Sequence, residues 1–491
     1  MFWYGYVYYV FFNFTLLSLT LFILRLYALS NTFSFNLVSN LSRLFISLVV
    51  LFFIITFSLL NCVLDYYQEL SLVNHNGISF VDCFTVPKLL NLGGGSINLT
   101  QVYYFPFIYV FLFVTLLSLI FCLSYNVDEL MSFMFYVLII LLAGYVLFFT
   151  DSIILFFLAY EMLLIPSFFI LYKFAKTRRC VEAAYLMFFW TQFGALFLIF
   201  GLVYLFFVTG SSQFSVITNF FLSTFEVNFL FLCFIIGFGV KLPIWPFYGW
   251  LPKAHVEAST NFSIFLSGVL VKFAFFGLLK CLLTLQLEPT FIAIYPFLTI
   301  GIVDAVFKLF YQIDLKKLVA YSTVIEMHWL TMCIISGQSN LMLASFCMLI
   351  SHALLSANSF LLVDAVARRF KTRLITEVSG LNFMCPKLFL MALINTLIFL
   401  GFPGSIFFVS EFLFFSFFFD LFPLLCVFLL LFLYLLGPIF FFRSWMNLLF
   451  GFSKSLSARI PADLTSREFM VFGFISFLLY WLGVSWQALI V

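Results

Sequence analysis

Five charged side chains stand inside long apolar runs: Glu161 in LAYEMLLIP, Lys241 in GFGVKLPIWP, Lys272 in GVLVKFAFFG, Glu326 in STVIEMHW and Glu411 in FFVSEFLFF. His352, in LISHALLS, adds a titratable imidazole in the same kind of setting. A charge at the centre of a bilayer costs about 2.5–3.5 kcal/mol on insertion scales, so such residues are kept where they are paired, wet or at work. One such charge reads equally well as a fixed ion pair that sets helix register. Six ionisable groups on consecutive runs read better as a path that hands protons through lipid. Burial disfavours a charged form and a nearby opposite charge restores it, so a partner that moves a few ångströms loads or unloads a proton. Asp304 and Lys308, four residues apart, read as an ordinary pair on a helix surface.

Helix breakers cluster beside two of the charges. Gly237, Gly239, Pro243 and Pro246 surround Lys241, and Gly401, Pro403 and Gly404 precede Glu411. Interrupted helices at corresponding places in two halves of a chain point to the working site of a transporter with inverted repeats.

The rest of the chain supplies a membrane for these groups. Of 491 residues, 65% are hydrophobic and 9% charged, and mean hydropathy is +1.20. A soluble domain carries about 25% charged residues, so water-soluble enzymes, disordered proteins and nucleic-acid binders are excluded for the whole chain. The apolar runs are too long and continuous for a transmembrane barrel. The expected fold is an all-α polytopic membrane protein of roughly fourteen spans, each about twenty residues long. Their approximate limits are 4–28, 43–64, 103–123, 131–150, 151–172, 183–208, 227–251, 262–284, 291–311, 318–336, 341–363, 386–418, 420–442 and 468–490. Run 386–418 exceeds one crossing and reads as a single interrupted span. Spans 4–8 (131–284) and 9–13 (285–442) form two five-helix repeats, inverted because five is odd. Residues 1–130 hold the first three spans, and 443–491 hold a surface segment and the last span.

The basic residues test that count. Of 23 Lys and Arg, nineteen follow odd-numbered spans or lie at their ends, and only Lys88 and Lys280 follow even-numbered ones. The positive-inside rule puts the odd-numbered loops on the cytoplasmic or matrix side and both termini opposite. The start, MFWYGYVYYVFFNF, has neither the basic region of a secretory signal nor an Arg- and Ser-rich transit pattern, so insertion where the chain is made is expected. The stretch 65–100 reads as an exposed connection, and 443–467 as a segment along the membrane surface. Ten cysteines without a CxxC pair read as buried thiols, and four scattered histidines offer no metal spacing.

The segment VKLPIWPFYGWLPKAHVEAS (240–259) resembles a signature of the subunit 4 family of respiratory NADH:ubiquinone oxidoreductase, complex I. YEMLLIP (160–166), DLKKLVAYSTV (314–324), LISHALLSANSFLLVD (349–364) and GFPGSIFFVSEF (401–412) follow in the family's order. The resemblance covers roughly 131–415. It implies an antiporter-like proton-pumping subunit of the membrane arm, in the mitochondrial inner membrane, with basic loops on the matrix side. Glu161 and Lys241 would then pair in a first half-channel, and Lys272 and His352 would lie on the central axis. Glu411 would end a second half-channel. His255, Pro243 and Pro403 would have structural or relay roles. No cofactor is expected in this chain; NADH, FMN, iron–sulfur clusters and ubiquinone are expected on other subunits. The expected partners are sibling antiporter-like and other membrane-arm subunits, and lipids, with no nucleic acid.

Two positions depart from the family pattern. Glu326 stands where the family's AYSSVSHM segment has a histidine, and Ser259 stands where a proline usually follows HVEA. His328, two residues on from Glu326, points about 200° around the helix and is a poor substitute. Three alternatives remain: a subunit of a multisubunit cation/proton antiporter or membrane-bound hydrogenase, a non-pumping scaffold of the same arm, and a small-solute transporter. The mid-membrane lysines count against a scaffold, and the lack of a polar pocket beyond the charges counts against a solute transporter.

Overall fold

A computed structural model describes residues 127–174, 177–218, 222–284, 293–451 and 462–486, with Phe220 and part of 110–118. The first two expected spans, most of the third, the 65–100 connection and residues 452–461 lie outside the described residues.

The described residues contain helices and no strand. Those of eight residues or more are α1 Val127–Phe149, α2 Ile153–Lys173, α3 Arg178–Thr209, α4 Thr224–Lys241, α5 Trp250–Glu257, α6 Thr260–Leu283, α7 Ile294–Phe310, α8 Leu315–Ile335, α9 Ser339–Phe370, α10 Pro386–Phe399, α11 Ile406–Leu421, α12 Pro423–Phe450 and α13 Ser466–Val484. Seven of them (α2, α3, α4, α6, α8, α9 and α12) are long and apolar enough to cross a membrane.

Local chemistry sets most helix ends. Ser223 and Glu226 form a reciprocal capping box at the start of α4, and Thr465 and Glu468 do the same for α13. Thr177, Ser259, Asp314 and Ser405 each accept a backbone N–H at the start of α3, α6, α8 and α11. The Asp463 carboxylate accepts the N–H groups of Lys387 (2.9 Å) and Leu388 (3.2 Å) at the start of α10, where Pro386 occupies the first turn.

Features recur across the two halves in the same order. Helices α2 and α8 both have 21 residues, and α3 and α9 both have 32. Each 32-residue helix ends on a left-handed residue, Gly210 at φ +65° and Lys371 at φ +62°. Each return is pinned by an isolated antiparallel bridge to the residue before the preceding helix, Ser152 with Gln213 and Asp314 with Leu374. An interruption follows in each half, after α4 and after α10, and then a helix with a π-helical stretch, Leu266–Leu270 in α6 and Leu430–Leu436 in α12. Pro438 explains the second π stretch: it has no N–H and crowds the carbonyl one turn back, which a widened turn relieves.

Helix α3 packs against α4, α7 against α8, α8 against α9, and α9 against α11. In α6, α8 and α9 nearly every residue of the apolar span is buried, whereas α3 and α12 are mostly open on one side. Three helices are thus enclosed by others, and the apolar outer faces of α3 and α12 suit a hydrocarbon surround. The expected limits shift in two places. The seventh run breaks after Lys241, and its second half extends to Glu257 rather than ending at 251. The thirteenth run continues as helix to Phe450, so 443–450 extends α12.

Candidate functional site

The break after α4 places a helix C-terminus among apolar neighbours. Orphan carbonyls there need donors. The Trp250 indole N–H gives one to Val240 O (2.8 Å), and the Leu242 N–H gives one to Phe238 O (2.8 Å). Lys241 lies in the last turn, where the negative end of the helix dipole favours a cation. Its amine donates to the Tyr160 carbonyl at 3.0 Å and lies 3.4 Å from the centre of the Tyr160 ring. The Tyr160 hydroxyl donates back to Gly237 O at 3.3 Å, locking α2 to α4.

Glu161, next in sequence, is half-buried and turns the other way. Gln192 of α3 donates to its Oε2 at 3.1 Å, and its Oε1 has no partner. Glu161 and Lys241 are therefore neighbours across Tyr160 without a direct ion pair. Gln192 is a site residue that the sequence reading missed; the signal was a lone amide in the apolar run FFWTQFG.

The three enclosed helices carry the next groups. The Lys272 amine, just past the π turn of α6, donates to the Ser267 carbonyl inside that turn and contacts His352 Nδ1 of α9. With a charged lysine, Nδ1 must accept, which leaves the ring proton on Nε2. That nitrogen faces Glu326 Oε2 of α8 at 3.3 Å, without the alignment of a hydrogen bond. Glu326 therefore reaches Lys272 only through the imidazole.

Beyond Glu326 a cavity with ≈ 20 Å³ open to water centres runs to Glu411, lined also by Ser322, Trp329, Phe407 and Pro438. Glu411 lies in the second turn of α11, and its Oε2 has no hydrogen-bond partner. Gly401, at φ +71°, leaves the space that this carboxylate occupies; a Cβ there would lie 2.6 Å from Oε2.

Other expected positions fall elsewhere. His255 is fully buried near the end of α5, stacked on Phe360 at 4.8 Å, and neither ring nitrogen has a partner. Pro243 lies in the turn after Lys241, and Pro403 in the turn between α10 and α11. His328 points away from Glu326: its Nε2 accepts the Trp245 N–H (2.8 Å) and its Nδ1 side donates to Val324 O (2.7 Å). It is a neutral clasp on the α4 break. The Asp304–Lys308 ion pair forms at 2.8 Å as expected, and the Tyr248 hydroxyl joins it. Among the described residues no group of His, Cys, Asp or Glu could hold a metal.

Residues 150–437 match the family described as NADH:quinone oxidoreductase/Mrp antiporter, TM, which is the class that this fold and site define. A chain in the structure of respiratory complex I from Thermus thermophilus with bound NADH superposes with a TM-score of 0.69 at 21% identity, covering 82% of this chain and 85% of that one. NADH-ubiquinone oxidoreductase chain 4 of Paramecium tetraurelia is 34% identical over 324 residues, 65% of this chain and 68% of the relative. Chain 4 of Chondrus crispus is 32% identical over 342 residues, 68% of each. The chain belongs to the NADH-ubiquinone oxidoreductase chain 4 family.

Proposed function

We propose that this chain is a proton-translocating subunit of the membrane arm of respiratory complex I. It couples NADH:ubiquinone oxidoreduction, performed on other subunits, to proton movement across the mitochondrial inner membrane. The observation that carries this reading is the line Lys272, His352, Glu326 and Glu411, four titratable side chains on four helices, the first three of them enclosed by protein. A fixed structural salt bridge would saturate its acceptors. Here unpartnered carboxylate oxygens and a misaligned imidazole leave vacant positions for protons.

In this reading Glu161 and Lys241 form the first half-channel, with Tyr160 between them, and Lys272 and His352 form the central link. Glu326 and Glu411 lead to the second half-channel. NADH, FMN, iron–sulfur clusters and ubiquinone reside on partner subunits, among them sibling antiporter-like chains. The matched helix lengths, bridges, breaks and π turns of the two halves support two inverted five-helix repeats within a fourteen-helix chain, over 131–284 and 285–442. The charge asymmetry of the loops supports a matrix-side placement of the odd-numbered ones. A role in a cation/proton antiporter is the second reading, favoured by the family description alone.

The test is Lys272→Met in the assembled complex. NADH-driven proton uptake into sealed vesicles should fall about tenfold or more, the loss expected when a group that transfers protons is removed. NADH oxidation by an artificial acceptor should stay at the parental rate. Parental pumping from an assembled variant would overturn the reading.

A further inference from the structure

We propose that Glu326 and Glu411 act as one carboxylate dyad, holding a single proton between them across one water molecule. The inference rests on the proton-conducting reading above and adds a coupling between two of its groups.

Both glutamates line the same cavity, Glu326 from α8 and Glu411 from α11. They are 4% and 7% exposed, and in each case Oε2 lacks a hydrogen-bond partner. The ≈ 20 Å³ open to water centres exceeds the roughly 10–15 Å³ that one water needs. A buried water also needs two to four polar partners. The two carboxylates supply two, and Ser322 supplies a third, since its hydroxyl donates to Val319 O and keeps its lone pairs free. The remaining lining is mostly apolar, which disfavours a larger water cluster.

Two ionised carboxylates facing one such cavity would repel strongly, and one proton turns the repulsion into a bridged hydrogen bond. The cations nearby do not cancel the second charge. Among the described residues His352 is the one basic group within 4 Å of Glu326, its other ring nitrogen is engaged by Lys272, and no basic group lies that close to Glu411. His352 of α9 thus faces the dyad, with Lys272 of α6 behind it on the other ring nitrogen. A proton arriving from the His352 side protonates Glu326 and requires Glu411 to release its own. The O–H bond formed at one carboxylate is matched by one broken at the other, and net charge in the cavity stays at −1. The histidine that the family resemblance leads one to expect at position 326 would make an acid–base pair instead of this exchange.

The test uses the intact complex and hydrogen–deuterium-sensitive infrared difference spectra of its protonated carboxyl C=O bands. For the parental chain, Glu326→Gln, Glu411→Gln and the double variant, one band is expected; either single substitution shifts or removes it, and the double variant lacks it. Two bands, each removed by one substitution and indifferent to the other, would overturn the dyad, as would the absence of any band that responds to both substitutions. A second arm fills the cavity. Ser322→Leu should shift the shared band and cut NADH-driven proton uptake at least tenfold. Thr323→Val, at a neighbouring buried hydroxyl that does not line the cavity, should leave both unchanged. If Ser322→Leu fails to assemble, Ser322→Val takes its place, and parental uptake with an unshifted band from the assembled variant refutes the bridging water. Parental uptake by assembled Glu411→Gln would instead sink the proton route itself, whatever the spectra show.

Discussion

A histidine whose ring nitrogens both have fixed partners differs from one with a vacancy, and this chain has both kinds. His328 donates from one nitrogen and accepts at the other, so it holds the loop after Lys241 in place. His328→Ala should leave the Trp245 N–H unpaired at a cost of about 1–3 kcal/mol. Thermal stability and the amount of assembled complex should drop, while proton uptake per assembled complex stays near parental; a selective loss of uptake would contradict the clasp. His352 has one nitrogen on Lys272 and the other facing Glu326 without alignment. Glu326→Gln should therefore impair uptake about as severely as Lys272→Met, whereas Glu326→His should be tolerated, because a titratable group remains opposite His352. Equal damage from both substitutions, at the level of assembly, would make Glu326 a static partner. Glu161→Gln should lower uptake about tenfold. Gln192→Leu should lower it by less, since it removes the orienting donor and keeps the acid; an unchanged rate would detach Gln192 from the site. The six ionisable residues were legible in the sequence because charges within apolar runs are rare. Tyr160, Gln192 and Ser322 were not, because tyrosines, amides and hydroxyls are ordinary inside membrane helices, and only contact with a carboxylate, a lysine or the cavity distinguishes them.

Broken helices bring backbone termini to the depth of these charges. The break after α4 ends a helix on Lys241, and the break before α11 starts one five residues ahead of Glu411. Both were legible from proline and glycine, which remove donors or permit φ > 0. Neither π turn was: the first lies in LSGVL, whose residues fit an α-helix equally well, and the second follows from Pro438 only once the helix is known to continue through it. The glycines of the second break allow a controlled comparison. Gly401 and Gly404 have φ +71° and +93°, so alanine at either strains the backbone by about 1–2 kcal/mol. Only at position 401 does the new Cβ meet the Glu411 carboxylate; at 404 the nearest atom, of Tyr480, is 3.9 Å away. Both variants should lose thermal stability, and Gly401→Ala alone should also lose uptake per assembled complex. Equal uptake in the two would show that the carboxylate tolerates displacement.

At the scale of the whole molecule, Lys272, Glu326 and His352 lie on α6, α8 and α9, the helices that others enclose among the described residues. Orientation is checkable at exposed positions on described helix ends. Cysteines placed at Arg178, Lys253 and Lys371 should label from one side of sealed vesicles, and a cysteine at Gln213 from the other. Access to any of the first three from the side of Gln213 would break the span count. That the chain is helical and crosses a membrane many times was legible because hydropathy acts at this scale, and seven described helices are long and apolar enough to cross; which helices are central was not, since composition does not tell lipid from an apolar neighbour. Enclosure also has a consequence in time. Helix α6 leaves the ribosome well before α8 and α9, so Lys272 enters the bilayer without the imidazole that later receives it. At about 2.5–3.5 kcal/mol per central charge, a nascent chain that ends before α9 exposes its lysine to lipid, while the finished chain does not. Completion of the ninth helix thus separates a chain that a membrane quality-control protease can recognise from one whose charges are out of reach.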